Sequence, residues 1–342
     1  MNQVVGPREH LTVLDAFSGK EHKEAVNQYY EEIFVRLPQN TQRAYKSDIK
    51  DYQNYCVKNG LQSFSTDAKL TEQSIKLYFL DLSASPNISH ATVRRRKAAI
   101  SAFLGMAKLP NPLNSKYLND LITRELATAN KYSRGEQATP LTDDLLIKIN
   151  SILKPDNLLD ARDLAVINVM YDGLLRSDEA CKITLGDINR RDGTIYVPAT
   201  KSDQTGKGSF RFISNTSIKI VDAYLLLAKI TVSDDVNVKA LLKTQLFRGL
   251  SPKKTSVLAT PISYPTIYRI FQRLAKLAHL NVHLSSHSAR VGAAVTMAEN
   301  GVSDLDIQRA GGWKSTAMPS RYTEQARVST GGMAQIAKLT NR

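Results

Sequence analysis

Residues 287–294 read His-Ser-Ala-Arg-Val-Gly-Ala-Ala, a stretch that places an imidazole close to a guanidinium. His287 precedes Arg290 by three residues, so on a helix the two side chains face the same side. A guanidinium can grip two phosphate oxygens, and an imidazole beside it can hydrogen-bond the same phosphate. Alone, such a pair is more often a surface feature than a catalytic one. Its meaning therefore depends on the other segments of the chain.

Three other segments carry side chains suited to phosphate chemistry. Arg176 follows the apolar end of a predicted helix, and Glu179 comes one helical turn later. Lys201 lies in a polar stretch between two predicted strands. The segment Gly311-Gly312-Trp313 is followed nine residues later by Tyr322. Together with the first stretch, these segments give the ordered series Arg, Lys, His-x-x-Arg, Trp, Tyr.

The residue types in this series supply what phosphodiester exchange needs without a metal or a nucleotide: a nucleophile, cations and an acid. The Tyr322 phenol can be the nucleophile, but its ordinary pKa of about 10 means that it needs help in losing its proton. Arg176 and Arg290 are suited to the phosphorane charge, because a guanidinium is always protonated and planar. Lys201, at a hairpin tip, is placed to protonate the 5′ oxygen. Trp313 offers one N–H donor and a flat surface for packing.

The ordered series resembles the catalytic set of the tyrosine site-specific recombinases, in which Arg, a hairpin Lys, His-x-x-Arg, His or Trp, and Tyr follow one another. Trp313 stands where many integrases have His, which narrows the resemblance to one branch of the family. The likeness covers roughly residues 21–342 and is strong from Leu174 onward. It implies that His287 contacts the scissile phosphate and helps to take the tyrosine proton, and that Glu179 supports the active-site cations.

The resemblance also implies the fold, the partner and the course of the reaction. The expected fold is mainly α, a two-domain C-shaped clamp on DNA in which a helical bundle accompanies a mostly helical catalytic domain with a small antiparallel sheet. The expected partner is a double-stranded DNA site with inverted arms, bound by a homotetramer on two sites that is a monomer when free. Exchange would pass through a 3′-phosphotyrosyl link and a four-way junction without any cofactor. The same likeness implies a cytoplasmic, nucleoid-associated protein of bacterial, phage or plasmid origin.

The composition favours a polyanionic partner and excludes several other classes. Among 342 residues, 46 Lys and Arg face 32 Asp and Glu, for a net charge of +14. The net charge of residues 201–342 is +12 and that of residues 86–138 is +6, and the other segments partly offset them. Such basic segments are typical of proteins that bind nucleic acid. No apolar run reaches the roughly 18 residues of a membrane span. Two distant cysteines give no disulfide framework, and neither a metal-binding motif nor a phosphate loop is present.

The polar and apolar patterns divide the chain into four parts. Residues 1–20 are predicted to be a flexible arm and residues 21–126 a helical DNA-binding domain. Residues 127–139 are nearly free of large apolar side chains and are predicted to be a linker. Residues 140–342 form the predicted catalytic domain, which ends in an exchange helix at about 331–342.

Capping residues and hydrophobic spacing predict the elements within these domains. In the bundle, helices are predicted to open at Asn40 or Thr41, at Thr71, at Ser89 or His90, and after Asn111-Pro112. In the catalytic domain, the pattern predicts a helix capped by Thr142, a helix over 160–173, paired strands over 193–197 and 208–213, and a helix over 263–277 with Ile267, Ile270, Phe271, Leu274 and Leu277 inward.

Basic and polar side chains on predicted outer faces are assigned to DNA, as phosphate contacts or as base contacts. The assigned residues are Gln42, Arg43, Lys46, Lys50, Arg94, Arg95, Lys97, Lys131, Arg134, Tyr264, Thr266, Arg269, Arg273 and Lys276, with Gln272 on the same outer row of the 263–277 helix. Binding is expected to weaken with salt at a slope of about −0.9 per phosphate neutralised.

The residues after Tyr322 favour strand exchange over two alternatives. Gly331-Gly332 precedes Met333, Ile336 and Leu339 at helical spacing, a pattern typical of a helix that docks on another surface. The family resemblance implies a neighbouring subunit as that surface, and docking on its own subunit is the alternative. A type I topoisomerase-like enzyme would relax DNA by the same chemistry without pairing two sites, and the docking helix argues against it. A catalytically idle DNA-binding protein of the same fold is the other alternative, and the complete series argues against that.

Overall fold

The computed structural model describes residues 20–85, 88–129, 137–198, 207–230 and 241–341. The chain forms two compact units, Met1–Gly135 and Glu136–Arg342, whose boundary falls within the range predicted as a linker. The predicted arm up to residue 19, the linker residues Lys131 and Arg134, and the predicted acid Lys201 lie outside the described residues.

The first unit is a set of helices packed around an aromatic and aliphatic core. Its helices are α1 (Lys20–Glu32), α2 (Gln39–Lys58), α3 (Ala68–Ala84), α4 (His90–Met106) and α5 (Lys116–Ala129). The buried core includes Tyr52, Ile75, Tyr78, Phe79, Ile100 and Leu104. These residues recur at steps of three and four, so each helix turns one apolar stripe inward. Helix α5 ends at Ala129, three residues into the stretch predicted as a linker.

Capping side chains mark two helix starts of the first unit, and two predicted starts are corrected. Helix α2 begins at Gln39 instead of at Asn40 or Thr41, and Pro38 precedes it without a side-chain cap. Ser89 caps α4, because its hydroxyl accepts a backbone N–H of the first turn. Helix α3 begins at Ala68 instead of at Thr71, since the Asp67 carboxylate is the side chain that accepts a first-turn N–H. Thr71 is buried within the helix and exchanges hydrogen bonds with Ser65.

The second unit is mostly helical and is organised around one central helix. Its helices are α6 (Asp143–Ile152), α7 (Leu158–Asp172), α8 (Ser177–Ala180), α9 (Asn215–Leu227), α10 (Tyr264–Leu277), α11 (Ser288–Glu299), α12 (Asp304–Gly311), α13 (Ala317–Thr330) and α14 (Gly332–Leu339). Helix α7 is buried on nearly all sides and packs against α9, α10 and α11. Among the described residues, no helix combines the length and the apolar character that crossing a bilayer requires.

Two small antiparallel sheets complete the second unit. The first has the order β1 (Ile188–Asn189), β2 (Thr194–Val197) and β3 (Ser209–Phe212), and the second pairs β4 (Arg248–Leu250) with β5 (Val257–Pro261). The predicted pairing of two strands around residue 201 is present, with Ile195 opposite Arg211. This register turns Arg211 into the unit and leaves Phe210 and Phe212 on the outer face.

Helix α10 has the predicted inner face except at its last residue. Ile267, Ile270, Phe271 and Leu274 are buried, as their spacing predicts. The prediction that Leu277 also faces the core is wrong, since 39% of its surface is exposed. Leu277 is the final residue of the helix, and the residue that follows it, Ala278, is the one buried in the core.

Candidate active site

Arg290 is the deepest charged side chain of the site, with only 1% of its surface exposed. Its guanidinium donates hydrogen bonds to the backbone carbonyls of Leu174 and Gly311. Helix α11 can approach its neighbours this closely because it is built of small residues, and a Cβ at Gly292 would overlap the Leu141 backbone. Burial lowers the pKa of Arg290, and the positive charge of Arg176 adds to this effect. An anion bound here would relieve both penalties.

The sharp turn between α7 and α8 presents Arg176. Leu174 has a positive φ of 48°, which ends the direction of α7 and points its carbonyl at Arg290. Two residues later, Arg176 precedes the short helix α8, and the buried carboxylate of Glu179 binds it twice. One Glu179 oxygen accepts from Arg176 Nη1 and the other from the Arg176 backbone N–H, both at 2.7 Å. The second contact is a helix-capping interaction, so one side chain fixes both the backbone and the guanidinium of Arg176.

Tyr322, on α13, is in direct contact with His287, the residue that precedes α11. The Tyr322 hydroxyl is 3.3 Å from His287 Nε2, and the rings meet edge to face. Desolvation by surrounding atoms lowers the pKa of His287, and the positive charges of Arg290 and Arg176 lower it further. The imidazole is therefore neutral at physiological pH and, with its proton on Nδ1, can accept a hydrogen bond from the tyrosine.

The helix that carries Tyr322 begins next to a proline. Helix α13 starts at Ala317, so Pro319 is in its first turn, where a backbone N–H has no partner within the helix. Thr323 is buried and donates its hydroxyl hydrogen bond to the Pro319 carbonyl. The Tyr322 ring also packs on Trp313, with 6.1 Å between the ring centroids.

Trp313 links the tyrosine to the buried arginine. The Arg290 Cζ atom is 4.0 Å from the centroid of the Trp313 ring system, a cation–π arrangement. Trp313 itself is buried and follows Gly312, which ends α12 in the left-handed conformation with φ of 58°. The predicted residues Arg176, Glu179, His287, Arg290, Trp313 and Tyr322 are thus brought together in one cluster.

Arg211 is a further charged residue of this cluster, and sequence reasoning missed it. Its side chain is only 7% exposed, and Nη2 donates to the Gly311 carbonyl at 3.3 Å, the same oxygen that Arg290 binds at 2.8 Å. The alternating pattern of β3 gives the opposite signal, because two phenylalanines flank the arginine and would be expected to face the core. They are instead 70% and 65% exposed, and no signal within the strand indicates this inversion.

The residues assigned to DNA on α10 separate into two groups. Tyr264, Arg269 and Lys276 are exposed and Thr266 is half-buried. Arg273 instead binds the carboxylates of Asp160 and Asp163, the latter at 2.8 Å and buried. The Gln272 amide donates to the Leu284 carbonyl. The helical period placed Gln272 and Arg273 on the outer row, but tertiary neighbours occupy their polar groups.

The first unit shows the same division. Arg43, Lys50 and Arg94 are exposed. Arg95 makes two hydrogen bonds to buried Asp48, at 2.8 and 2.9 Å. The other predicted residues contact the protein itself. Gln42 donates to the carbonyls of Val35 and Leu37, and Lys46 lies 5.5 Å from the Tyr30 ring centroid. Partial burial lowers the pKa of Lys97.

Comparison with known proteins identifies the family. Residues 141–328 match the phage integrase family. The chain belongs to this family and is a tyrosine recombinase, an enzyme that transfers DNA strands. It is 26% identical to the recombinase Cre of Escherichia phage P1 over 349 aligned positions, which cover 98% of each chain. It is 25% identical to an integrase/recombinase XerD homolog of Selenomonas ruminantium, over 84% of this chain and 82% of that protein.

Solved structures share the fold at lower identity. The Tn1549 transposon integrase in complex with circular intermediate DNA has a TM-score of 0.59 and 16% identity, and the match covers 88% of this chain and 94% of that one. The XerH site-specific recombinase bound to palindromic difH substrate has a TM-score of 0.58 and 15% identity, over 96% and 97% of the two chains. These two likenesses show that the chain has the fold of these proteins.

Proposed function

We propose that Tyr322 is the nucleophile of this recombinase. Its phenolate oxygen attacks the scissile phosphorus, the bond from phosphorus to the 5′ oxygen breaks, and a 3′-phosphotyrosyl link forms. The 5′ hydroxyl of the partner strand then attacks that link and releases the tyrosine, so the number of ester bonds stays constant and no nucleotide is consumed. The observation that carries this proposal is the 3.3 Å contact between the Tyr322 hydroxyl and His287 Nε2, beside the stacked Arg290 and Trp313.

His287 is the proposed acceptor of the tyrosine proton. Its lowered pKa keeps the imidazole neutral, which a base requires, and Nε2 is already within hydrogen-bond distance of the phenol. When the scissile phosphate is bound, the protonated imidazole can in turn donate to a phosphate oxygen. The two neighbouring guanidiniums that lower its pKa become balanced by that phosphate, so the imidazolium is more stable in the complex than in the free protein.

Arg176 and Arg290 are the proposed ligands of the phosphorane. Both guanidiniums are held before DNA arrives, Arg176 by Glu179 and Arg290 by two backbone carbonyls. Such pre-organisation means that little reorganisation accompanies the reaction, and each guanidinium is expected to contribute about 3 kcal/mol, the value of one oxyanion-hole donor. Trp313 contacts both Arg290 and Tyr322 and so packs beside the two groups that face the phosphate.

Lys201 is the proposed general acid that protonates the leaving 5′ oxygen. It lies outside the described residues, between strands β2 and β3, so its role rests on its place in the ordered series of residues. A lysine is suited to this step because it carries a proton at neutral pH and loses it readily to a developing alkoxide.

Two groups of exposed side chains are the proposed contacts to duplex DNA. In the first unit these are Arg43, Lys50 and Arg94, and in the second they are Tyr264, Arg269 and Lys276. The side chains already bonded within the protein, such as Arg95 and Arg273, are proposed to shape these surfaces instead of reading bases. Lys131 and Arg134 remain predicted phosphate contacts outside the described residues.

The complete exchange is proposed to take place in a homotetramer on two DNA sites with inverted arms, through a four-way junction. Helix α14 supports this proposal, because Met333, Ile336 and Leu339 are all exposed on it. A helix with an uncovered apolar side, joined through Gly331-Gly332, fits docking on a neighbouring subunit. A topoisomerase-like activity would need no such contact.

The proposal is tested with Tyr322→Phe protein and a matched control. Random DNA is first enriched on the Tyr322→Phe protein to obtain the target site. A nicked copy of that site, whose short 5′ fragment diffuses away after cleavage, then traps the covalent link. The expected result is a protein–DNA adduct with the unaltered protein and with Tyr117→Phe, an exposed tyrosine of the first unit, and none with Tyr322→Phe.

Three results would overturn parts of the proposal. An adduct formed by the Tyr322→Phe protein would exclude this tyrosine as the nucleophile. Relaxation of a supercoiled plasmid that lacks the enriched site, without exchange between two sites on one plasmid, would favour the topoisomerase-like alternative. Tight binding to the enriched site with no adduct from the unaltered protein would favour the idle DNA-binding alternative.

A further inference from the structure

The turn that carries Trp313 is held by a residue outside the ordered series. Arg211, on β3, donates from Nη2 to the Gly311 carbonyl and from Nη1 to the Phe210 carbonyl, at 3.3 and 3.5 Å. Arg290, on helix α11, donates to the same Gly311 oxygen. One carbonyl oxygen thus receives hydrogen bonds from two guanidiniums, one on the strand and one on the helix.

The backbone of this turn is shaped to the Arg211 side chain. Gly312 has the left-handed φ of 58°, and a Cβ placed on it would overlap the Arg211 guanidinium. Any other residue at position 312 would therefore have to displace the arginine in addition to adopting an unfavourable φ. A Cβ at Gly311 would overlap the ring of Trp313. The two glycines let the guanidinium and the indole pack against the same short stretch of backbone.

The burial of the Arg211 side chain carries a cost in free energy. It is 7% exposed, its Nε donor has no hydrogen-bond partner among the residues that the structure describes, and burial lowers its pKa. The negative charge of Glu179 favours its charged form, whereas Arg176 opposes it. A methionine would fill much of this space without burying a charge. The retained charge and donors therefore point to a task beyond filling space.

We propose that Arg211 is a positioning residue for strand cleavage, acting through Trp313. It fixes the Gly311–Gly312 turn, and the turn fixes the indole that contacts both Arg290 and Tyr322. Because both of its Nη groups are directed to backbone carbonyls and the side chain is buried, Arg211 acts on the turn and not on the phosphate. The inference rests on the proposed function only where it concerns cleavage, since the placement of Trp313 is a property of the free protein.

The chain offers a direct probe, because Trp313 is its single tryptophan. The test compares Arg211→Met with Arg190→Met, whose arginine binds the exposed Asp222 on the same unit. In the free protein, Arg211→Met is expected to shift the fluorescence emission to longer wavelength and to increase quenching by acrylamide. The control is expected to leave both unchanged, and circular dichroism is expected to show the same helix content in all three proteins.

The second readout is covalent adduct formation on the nicked target site. Misplacement of a supporting group can cost about 100-fold in rate, and Arg211→Met is expected to approach this loss. In a Trp313→Phe background, the same substitution is expected to have little additional effect, because the two residues act in series. Should Arg211→Met fail to fold, Arg211→Lys and Gly312→Ala, which disturb the contact from either side, are expected to give the same emission shift.

Three outcomes would overturn the proposal. Unchanged fluorescence with lost cleavage would mean that Arg211 acts on DNA directly, and unchanged fluorescence with unchanged cleavage would leave it no role at the site. Additive losses with Trp313→Phe would exclude the series arrangement. Absence of adduct from the unaltered protein would count against the proposed function instead, and the fluorescence comparison would still decide whether Arg211 positions Trp313.

Discussion

Glu179 binds Arg176 through both of its carboxylate oxygens. One oxygen accepts from the side-chain Nη1 and the other from the backbone N–H, each at 2.7 Å, and the carboxylate is almost completely buried. The glutamate therefore has two tasks, one as the cap of a short helix and one as the anion that orients a guanidinium. A substitution can separate them, because an amide keeps one acceptor oxygen and loses the charge.

We expect Glu179→Gln to slow covalent adduct formation by about tenfold while DNA binding stays the same, since it leaves Arg176 present but less firmly held. Glu179→Ala should be slower still, because the helix cap is lost as well. Gel-shift binding and adduct formation on the nicked target site measure the two effects separately. Glu324→Gln, at an exposed position on α13, is the matched control. Equal rates for Glu179→Gln and the control would show that the Glu179 charge does not position Arg176.

The sequence predicts the cluster well because its members keep one order, while the contacts among them depend on the tertiary fold. Capping residues such as Ser89 mark helix starts locally, and the pairing of β2 with β3 follows from two short apolar strands. The inward side of Arg211 is not predictable in this way, because the strand alone favours burying its phenylalanines. The ion pairs of Arg273 are not predictable for a related reason, since its partners Asp160 and Asp163 come from a helix about 110 residues earlier.

The direction of the His287 pKa shift predicts the acid limb of the cleavage rate. Only the neutral imidazole can accept the tyrosine proton, so the rate falls as the pH falls through the pKa of His287. Since desolvation and two guanidiniums lower this pKa, the fall is expected below the ordinary value of about 6.5. Adduct formation from pH 5 to pH 8, measured far below saturation so that the rate reports groups of the free protein, checks this, with His287→Gln expected to be slower and to lack the limb. A limb above pH 7 would contradict the assignment.

Neighbouring arginines on α10 are expected to respond differently to substitution. Arg269 is exposed, so Arg269→Ala should weaken DNA binding and reduce the slope of log affinity against log salt by about 1. Arg273→Met should leave that slope unchanged but destabilise the second unit by about 2 kcal/mol, because it removes charged hydrogen bonds from a buried carboxylate.

The pH dependence of that destabilisation follows from Asp163. Burial raises the pKa of Asp163, and Arg162 and Arg273 partly offset the rise. Removal of Arg273 therefore raises this pKa further, so the stability lost at neutral pH should shrink as the pH falls and the carboxyl group becomes protonated. Urea unfolding at pH 5 and pH 8 measures this difference. A larger loss at pH 5 than at pH 8 would contradict the buried-carboxylate explanation, and a changed salt slope would make Arg273 a DNA contact.

Helix α14 is expected to matter for pairing DNA sites and not for binding one site. Its apolar residues Met333, Ile336 and Leu339 are exposed, and the deletion of residues 331–342 removes them without touching α13. The truncated protein should bind a single site with unchanged affinity but form few tetramers on two sites, as measured by light scattering and by exchange between sites on one plasmid. Ile336→Glu in the full-length chain should act in the same direction, with Lys338→Glu, which changes a charge beside the apolar face, as its control. Tetramers that persist after the deletion would exclude the helix as the subunit connection.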